Sequence, residues 1–352
     1  MPIENIAIMT AWNSDSGVYI HAEPIVNAWI KMGYNVKVFT FIKEDFHGRV
    51  QFGEDEPFVT RCFGTSGKTN YLDPRPLLVE KFDVLVMEDL KQLPMEKLIK
   101  LFPILKKKTK AIIHVLHENT ILGYPPPQPP VFYAFDFDAV VYIEKKQEWY
   151  AKAIYGDKAH YIPFPCFPVR QGDKIKIREE LGLPKDKKIV LAYARGGYSV
   201  YLPQLPRRGL ENVLFLVLTG KEIKWQYPQT EIRVTPPLPN DILDKYVLAS
   251  DAVILHKISD PPFPLGLTSS ATYHLIGNLR PLLAPRISEF FEPFPDIMLK
   301  YADREHLAEL IIDAINLGHR TKKVLENAKK FVMERDPEKI AAQYIELFEK
   351  LI

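Results

Sequence analysis

Short apolar runs alternate with longer amphipathic stretches along nearly the whole chain, and the alternation is played out twice. In the first half, runs at 3–9, 35–41, 58–63, 83–87, 111–116 and 139–143 predict strands. Their near-continuous apolarity suits parallel strands covered on both faces. Helical spacing between them predicts helices over 22–32, 95–107 and 145–154. Pro24 sets the first of these starts, because proline is tolerated in a first turn but not in a helix interior. Pro163, Pro165 and Pro168 then punctuate the chain as a linker. The second half repeats the layout, with strands near Ile189, Val213, Ile232, Ala252 and Pro281 and helices over 241–248, 268–277 and 304–317. Two further helices, 321–335 and 338–351, exceed what one sheet needs. The fold class expected is α/β, with two doubly wound, Rossmann-like domains.

A length of 352 residues agrees with two domains of ordinary size. Lys plus Arg number 46 against 44 Asp plus Glu, a balance of +2 that gives no electrostatic case for a nucleic-acid binder. Lys106, Lys107, Lys108 and Lys110 form one dense basic run after an apolar stretch; a solvated helix end and a membrane-surface contact are the competing readings. Cys62 and Cys166 stand far apart and form neither a disulfide framework nor a metal motif. With no signal-like start and no stretch of membrane-spanning length, a cytoplasmic protein is expected, with peripheral membrane contact left open. The 30 prolines and the Lys/Glu-rich composition point towards a thermophilic source.

Candidate chemistry collects where apolar runs end, because ligands of open α/β sheets sit beyond the carboxyl ends of strands. The stretch 176–197 reads as an amphipathic helix, a Gly182-Leu183-Pro184 stop and a strand ending in Arg195-Gly196-Gly197. Arg195 is therefore placed to meet a bound anion, a strand-end salt bridge being the alternative. Thr268, Ser269 and Ser270 open a helix whose free amides and hydroxyls could hold phosphate, or simply cap it. Gly17 follows the first strand across a turn, where the lack of Cβ permits close ligand approach or mere loop closure. Asp15 and His21 flank that turn as candidate sugar or acceptor contacts, His21 at the edge of the cleft. His117 and Glu118 follow the fifth strand as the candidate catalytic pair.

Three decoys are set aside. Strand alternation places His114 and His117 on opposite faces, so the pair is not expected to share a metal, and His114 reads as core. The loop Gly64-Thr65-Ser66-Gly67-Lys68-Thr69 mimics a phosphate loop, but Cys62 occupies the position of its first glycine and Pro74 and Pro76 forbid the long helix that should follow. Asp136-Phe137-Asp138 precedes its strand and is not a metal motif.

Gly17-Val18-x-x-His21 with Gly33, Arg178-x-x-Leu181-Gly182-Leu183-Pro184-x-Asp186 through Arg195, and Tyr246-x-x-x-Ser250-Asp251-Ala252-Val253 together resemble GT-B glycosyltransferases related to family 4. The resemblance covers the whole chain. It implies two facing domains, 1–165 for the acceptor and 166–335 for the nucleotide sugar, with a final helix over 336–352 returning to the first domain. It also implies hexosyl transfer from a nucleotide-sugar donor to an acceptor (saccharide, lipid or small molecule), with retention and with no metal or other cofactor. The donor segment departs from the family: the second glutamate of its usual pair is missing, and so is the lysine after the arginine, Arg207 and Arg208 being the nearest substitutes. A nucleotide-sugar epimerase and a non-catalytic nucleotide-sugar-binding subunit are the alternatives.

Overall fold

The computed structural model describes residues 2–117, 130–193, 205–220, 230–257 and 268–352. They fall into two compact units, one comprising Met1–Pro165, Pro264–Ser270 and Arg335–Ile352, the other Cys166–Phe263 and Ala271–Glu334.

The first unit is built on β1 (Asn5–Met9), α1 (Gly17–Lys31), β2 (Asn35–Phe41), β3 (Val59–Phe63), α2 (Arg75–Val79), β4 (Val84–Glu88), α3 (Met95–Lys108), β5 (Ala111–Leu116), β6 (Ala139–Tyr142), α4 (Glu148–Tyr155) and β7 (Ala159–Tyr161). Its strands form one parallel sheet in the order β3-β2-β1-β4-β5-β6-β7. Strand order reverses between β1 and β4, which opens a crevice at their carboxyl ends. Strands β1, β4, β5 and β6 are buried almost throughout, as their unbroken apolar runs require.

Helix α1 begins five residues earlier than Pro24 suggests. Ser16 caps it, its Oγ accepting from the Val18 amide at 3.2 Å, and Val18, Tyr19, Ile20 and His21 are buried in the first turns. That burial and the cap outweigh the single helical donor that an interior proline removes.

The second unit continues with α5 (Lys174–Glu180), β8 (Lys188–Tyr193), β9 (Val213–Thr219), β10 (Thr230–Val234), α6 (Asn240–Ala249), β11 (Ala252–Ile254), α7 (Ser270–Leu275), β12 (Leu282–Pro285), β13 (Leu299–Tyr301), α8 (Arg304–Ile315) and α9 (His319–Glu334). Its parallel sheet runs β10-β9-β8-β11-β12-β13, again reversing beside the unit's first strand. Helix α8 packs on the sheet through Leu307, Leu310 and Ile311 in the same core as Val190, Phe215 and Leu283.

Arg178 and Asp251, both part of the sequence resemblance, prove to be a structural staple. Arg178 donates to the Ala249 and Lys187 carbonyls, each at 2.9 Å, and to Asp251 Oδ2 at 2.8 Å. Asp251 in turn accepts from the Ile189 amide and from Lys174, tying α5, β8 and the start of β11 together.

The last helix, α10 (Pro337–Leu351), belongs to the first unit. It packs on α1, where Trp29 Nε1 donates to the Ala341 carbonyl at 3.2 Å and the Trp29 ring meets Tyr344 and Phe348. This return of the C-terminus is the one the sequence implied.

Candidate functional site

Beside the first unit's crevice lies a cavity of about 210 Å³, walled among others by Gly17, His47, Asp89, His117, Phe164, Thr268 and Ser270. All of these residues belong to the first unit. A Cβ placed on Gly17 would stand 2.9 Å from Ser270 Oγ, so the absence of a side chain here lets Ser270 come close to the Gly17 turn. Thr268 Oγ1 is buried in the wall and finds no hydrogen-bond partner among the described residues. A buried hydroxyl of that kind is normally satisfied, and a polar ligand in the cavity could satisfy it. The helix expected from residue 268 begins at Ser270; Ser269 is buried beside it.

His117 reaches the cavity from the residue after β5. Glu88 ends β4 and pairs in register with Val115, so Glu88, Val115 and His117 share one face of the sheet. His114 lies on the other face, where Nδ1 meets the Met87 carbonyl at 3.0 Å and the ring stacks on Phe137. On the shared face Glu88 takes a hydrogen bond from Thr10 Oγ1 at 2.7 Å, contacts His21 Nδ1 at 2.8 Å and stands 3.9 Å from His117 Nε2. Burial pushes the Glu88 carboxyl up, but the neighbouring His21 and the Thr10 hydroxyl hold it below the ordinary carboxylate range. Burial pushes His117 down to about 3 despite the attraction of Glu88, so its imidazole is uncharged at neutral pH. Such a ring can exchange hydrogen bonds with hydroxyls and is not a general acid.

His21, expected at the edge of the cleft, is instead fully buried against Glu88, with its ring edge-on to His117 and Phe164. The first turns of α1 are turned inward, and this takes His21 away from the surface. Asp15 likewise serves the fold: its Oδ1 accepts from the Arg49 and Val50 amides at 2.5 and 3.1 Å, holding the loop that carries His47. His47 contacts Ser16 Oγ at 3.0 Å and stands 3.9 Å from Asp89, a non-glycine residue with φ of 51°. Burial lowers the His47 pKa, with Asp15 opposing. Glu118 and Arg195 lie outside the described residues.

Sequence reasoning missed Glu88, His47 and Asp89. Glu88-Asp89 at the end of the apolar run 84–87 was a visible signal, a carboxylate pair where a strand delivers its ligands. His47 carried none, since it reaches the site through a loop.

The phosphate-loop mimic is filled from within. Asp45, almost fully buried, accepts from the Thr65 amide and hydroxyl at 3.1 and 2.7 Å and from the Thr69 amide at 2.9 Å, with the Thr69 hydroxyl also on it. These groups are thus unavailable to a phosphate. Among the described residues, His21, Glu88 and His117 alone bring three nitrogen and carboxylate donors within 4.8 Å of one another.

No protein-family model matches the chain. Similar solved structures include a sucrose-phosphate synthase from Thermosynechococcus elongatus (15% identity, 99% of each chain, TM-score 0.63). A glycosyltransferase from Rickettsia africae matches at 12% identity over 100% of this chain and 99% of its own, with TM-score 0.64. HepE from Anabaena, in complex with UDP-glucose, matches at 13% identity over 98% of this chain and 99% of its own, with TM-score 0.62. At such identities the likeness is one of fold, and it runs the length of both chains. The protein is therefore an α/β chain of two Rossmann-like domains with the fold of GT-B glycosyltransferases.

Proposed function

We propose that the protein transfers a hexosyl group from a nucleotide-sugar donor to an acceptor hydroxyl. The observation that carries this reading is the first unit's cavity, where an uncharged His117 and the unsatisfied Thr268 hydroxyl stand beside the Gly17 turn. These groups match a polyhydroxylated guest, and the fold is shared with proteins of which HepE holds UDP-glucose. In this reading the first unit receives the reacting sugar and the acceptor. The segment 166–335 holds the nucleotide, with Arg195 on the diphosphate and Ser269 and Ser270 assisting.

The reaction breaks the bond from the sugar's anomeric carbon to the diphosphate and forms one to the acceptor oxygen. The acceptor proton leaves on the departing phosphate, whose charge the arginine offsets. The resemblance supports retention, with attack on the face from which the phosphate departs.

A panel of nucleotide sugars tests the proposal. A donor that binds only the folded protein should raise its melting temperature. With an acceptor pool, that donor should yield nucleoside diphosphate and glycosylated product in equal amounts, and the product's anomeric configuration reads retention directly. An epimer formed without loss of nucleotide would indicate isomerase activity, and binding without turnover a non-catalytic subunit. A panel in which no donor binds would overturn the reading.

A further inference from the structure

We propose that His21, Glu88 and His117 form a binding site for a divalent transition-metal ion of the zinc type. The three donors converge from rigid parts of the fold. His21 lies on the buried side of α1, Glu88 is the last residue of β4, and His117 follows the neighbouring strand β5. Glu88 Oε1 stands 2.8 Å from His21 Nδ1 and Oε2 stands 3.9 Å from His117 Nε2, and all donor atoms lie within 4.8 Å of one another. Zinc bonds to nitrogen and oxygen of about 2.0–2.2 Å in a tetrahedral site put ligand atoms about 3.3–3.6 Å apart. Side-chain rotations that draw the most distant donors together by about 1.2–1.5 Å close the set around one ion.

The chemistry of the donors selects the metal class. Two imidazoles and one carboxylate suit zinc, cobalt or iron, whereas magnesium and calcium take oxygen almost alone. The set also has the outer support that metal sites need, since Thr10 Oγ1 donates to Glu88 at 2.7 Å and fixes the carboxylate. His117 borders the cavity, so a fourth position could be filled from there by water or a ligand hydroxyl. Without the ion, His21 Nδ1 meets Glu88 Oε1 at 2.8 Å, and bonds to the ion would replace that contact.

This site does not rest on the glycosyl-transfer reading, and its test does not use activity. The full chain, stripped with a chelator, is titrated with cobalt(II) and with zinc(II), followed by absorption and by metal content after gel filtration. The expected result is one equivalent bound, with the visible spectrum of low-coordinate cobalt, and zinc displacing it. Glu88→Gln and His117→Ala should each weaken binding by about 100-fold or more, as loss of a direct ligand exceeds the 10–100-fold typical of outer partners. His319→Ala, at an exposed histidine of α9, should leave binding unchanged. Anomalous scattering at the zinc edge from wild-type crystals checks the position should a variant fail to fold, with a peak expected within bonding distance of all three residues. No stoichiometric binding, a peak elsewhere, or binding indifferent to both substitutions would overturn the site and leave a buried histidine–glutamate pair.

Discussion

Replacing Asp251 with asparagine should loosen the second unit, and the structure sets the size of the effect. Asp251 is nearly buried and accepts from Arg178 Nη2, Lys174 Nζ and the Ile189 amide, at 2.8, 2.7 and 2.8 Å. Lys174 is a third exposed, and an ion pair of that kind contributes about 0–1 kcal/mol. Arg178 is only 4% exposed, so Asp251→Asn leaves its charge buried, and breaking such a pair costs about 3–5 kcal/mol. Asparagine keeps one acceptor oxygen, so the lower end, about 3 kcal/mol, is expected. Hydrogen exchange of the 188–193 backbone, read by mass spectrometry, isolates the effect to β8. Burial pushes the Asp251 carboxyl up, but Lys174, the Ile189 amide and Arg178 outweigh it and hold it low. A carboxyl depressed on folding contributes stability above its unfolded value of about 3.9, and that contribution is lost as pH falls below it. The gap between wild type and Asp251→Asn should thus be full at pH 7 and shrink below about pH 4. A cost under about 1 kcal/mol, or a gap that persists at low pH, would refute the staple.

Gly277→Ala should destabilise the second unit by about 1–3 kcal/mol in urea unfolding, because a Cβ there would stand 2.5 Å from the Phe167 carbonyl oxygen and 2.7 Å from that of Pro168, and backbone cannot swing aside. Asp45→Ala should cost about 1–3 kcal/mol and expose residues 64–70 to protease, since the Thr65 and Thr69 donors lose their common acceptor. His117→Ala should lower kcat for sugar transfer by about tenfold at most, as befits one uncharged hydrogen bond, with nucleoside-diphosphate affinity unchanged by calorimetry.

Most strands were legible because parallel strands covered on both faces must be apolar at every position, and 35–41 and 111–116 coincide with β2 and β5. The ones that escaped were short. Strand β7 holds three half-buried residues at a sheet edge, and β13 three after the bends at 295–298, too few to show a period. The start of α1 was misjudged because proline is a local signal and the burial that overrides it is tertiary. The site was legible as strand ends, hence Gly17 and His117, but not as a constellation. Glu88, His47 and Thr268 reach it from separate strands and loops, a proximity that only the folded sheet creates.

A crystal structure of the protein with an intact nucleotide sugar would locate the reacting sugar. The sugar ring should lie inside the first unit's cavity, within hydrogen-bond distance of His117 or Thr268, and close to the bare Cα of Gly17. A nucleotide sugar bound with its sugar elsewhere and this cavity still open would contradict that placement.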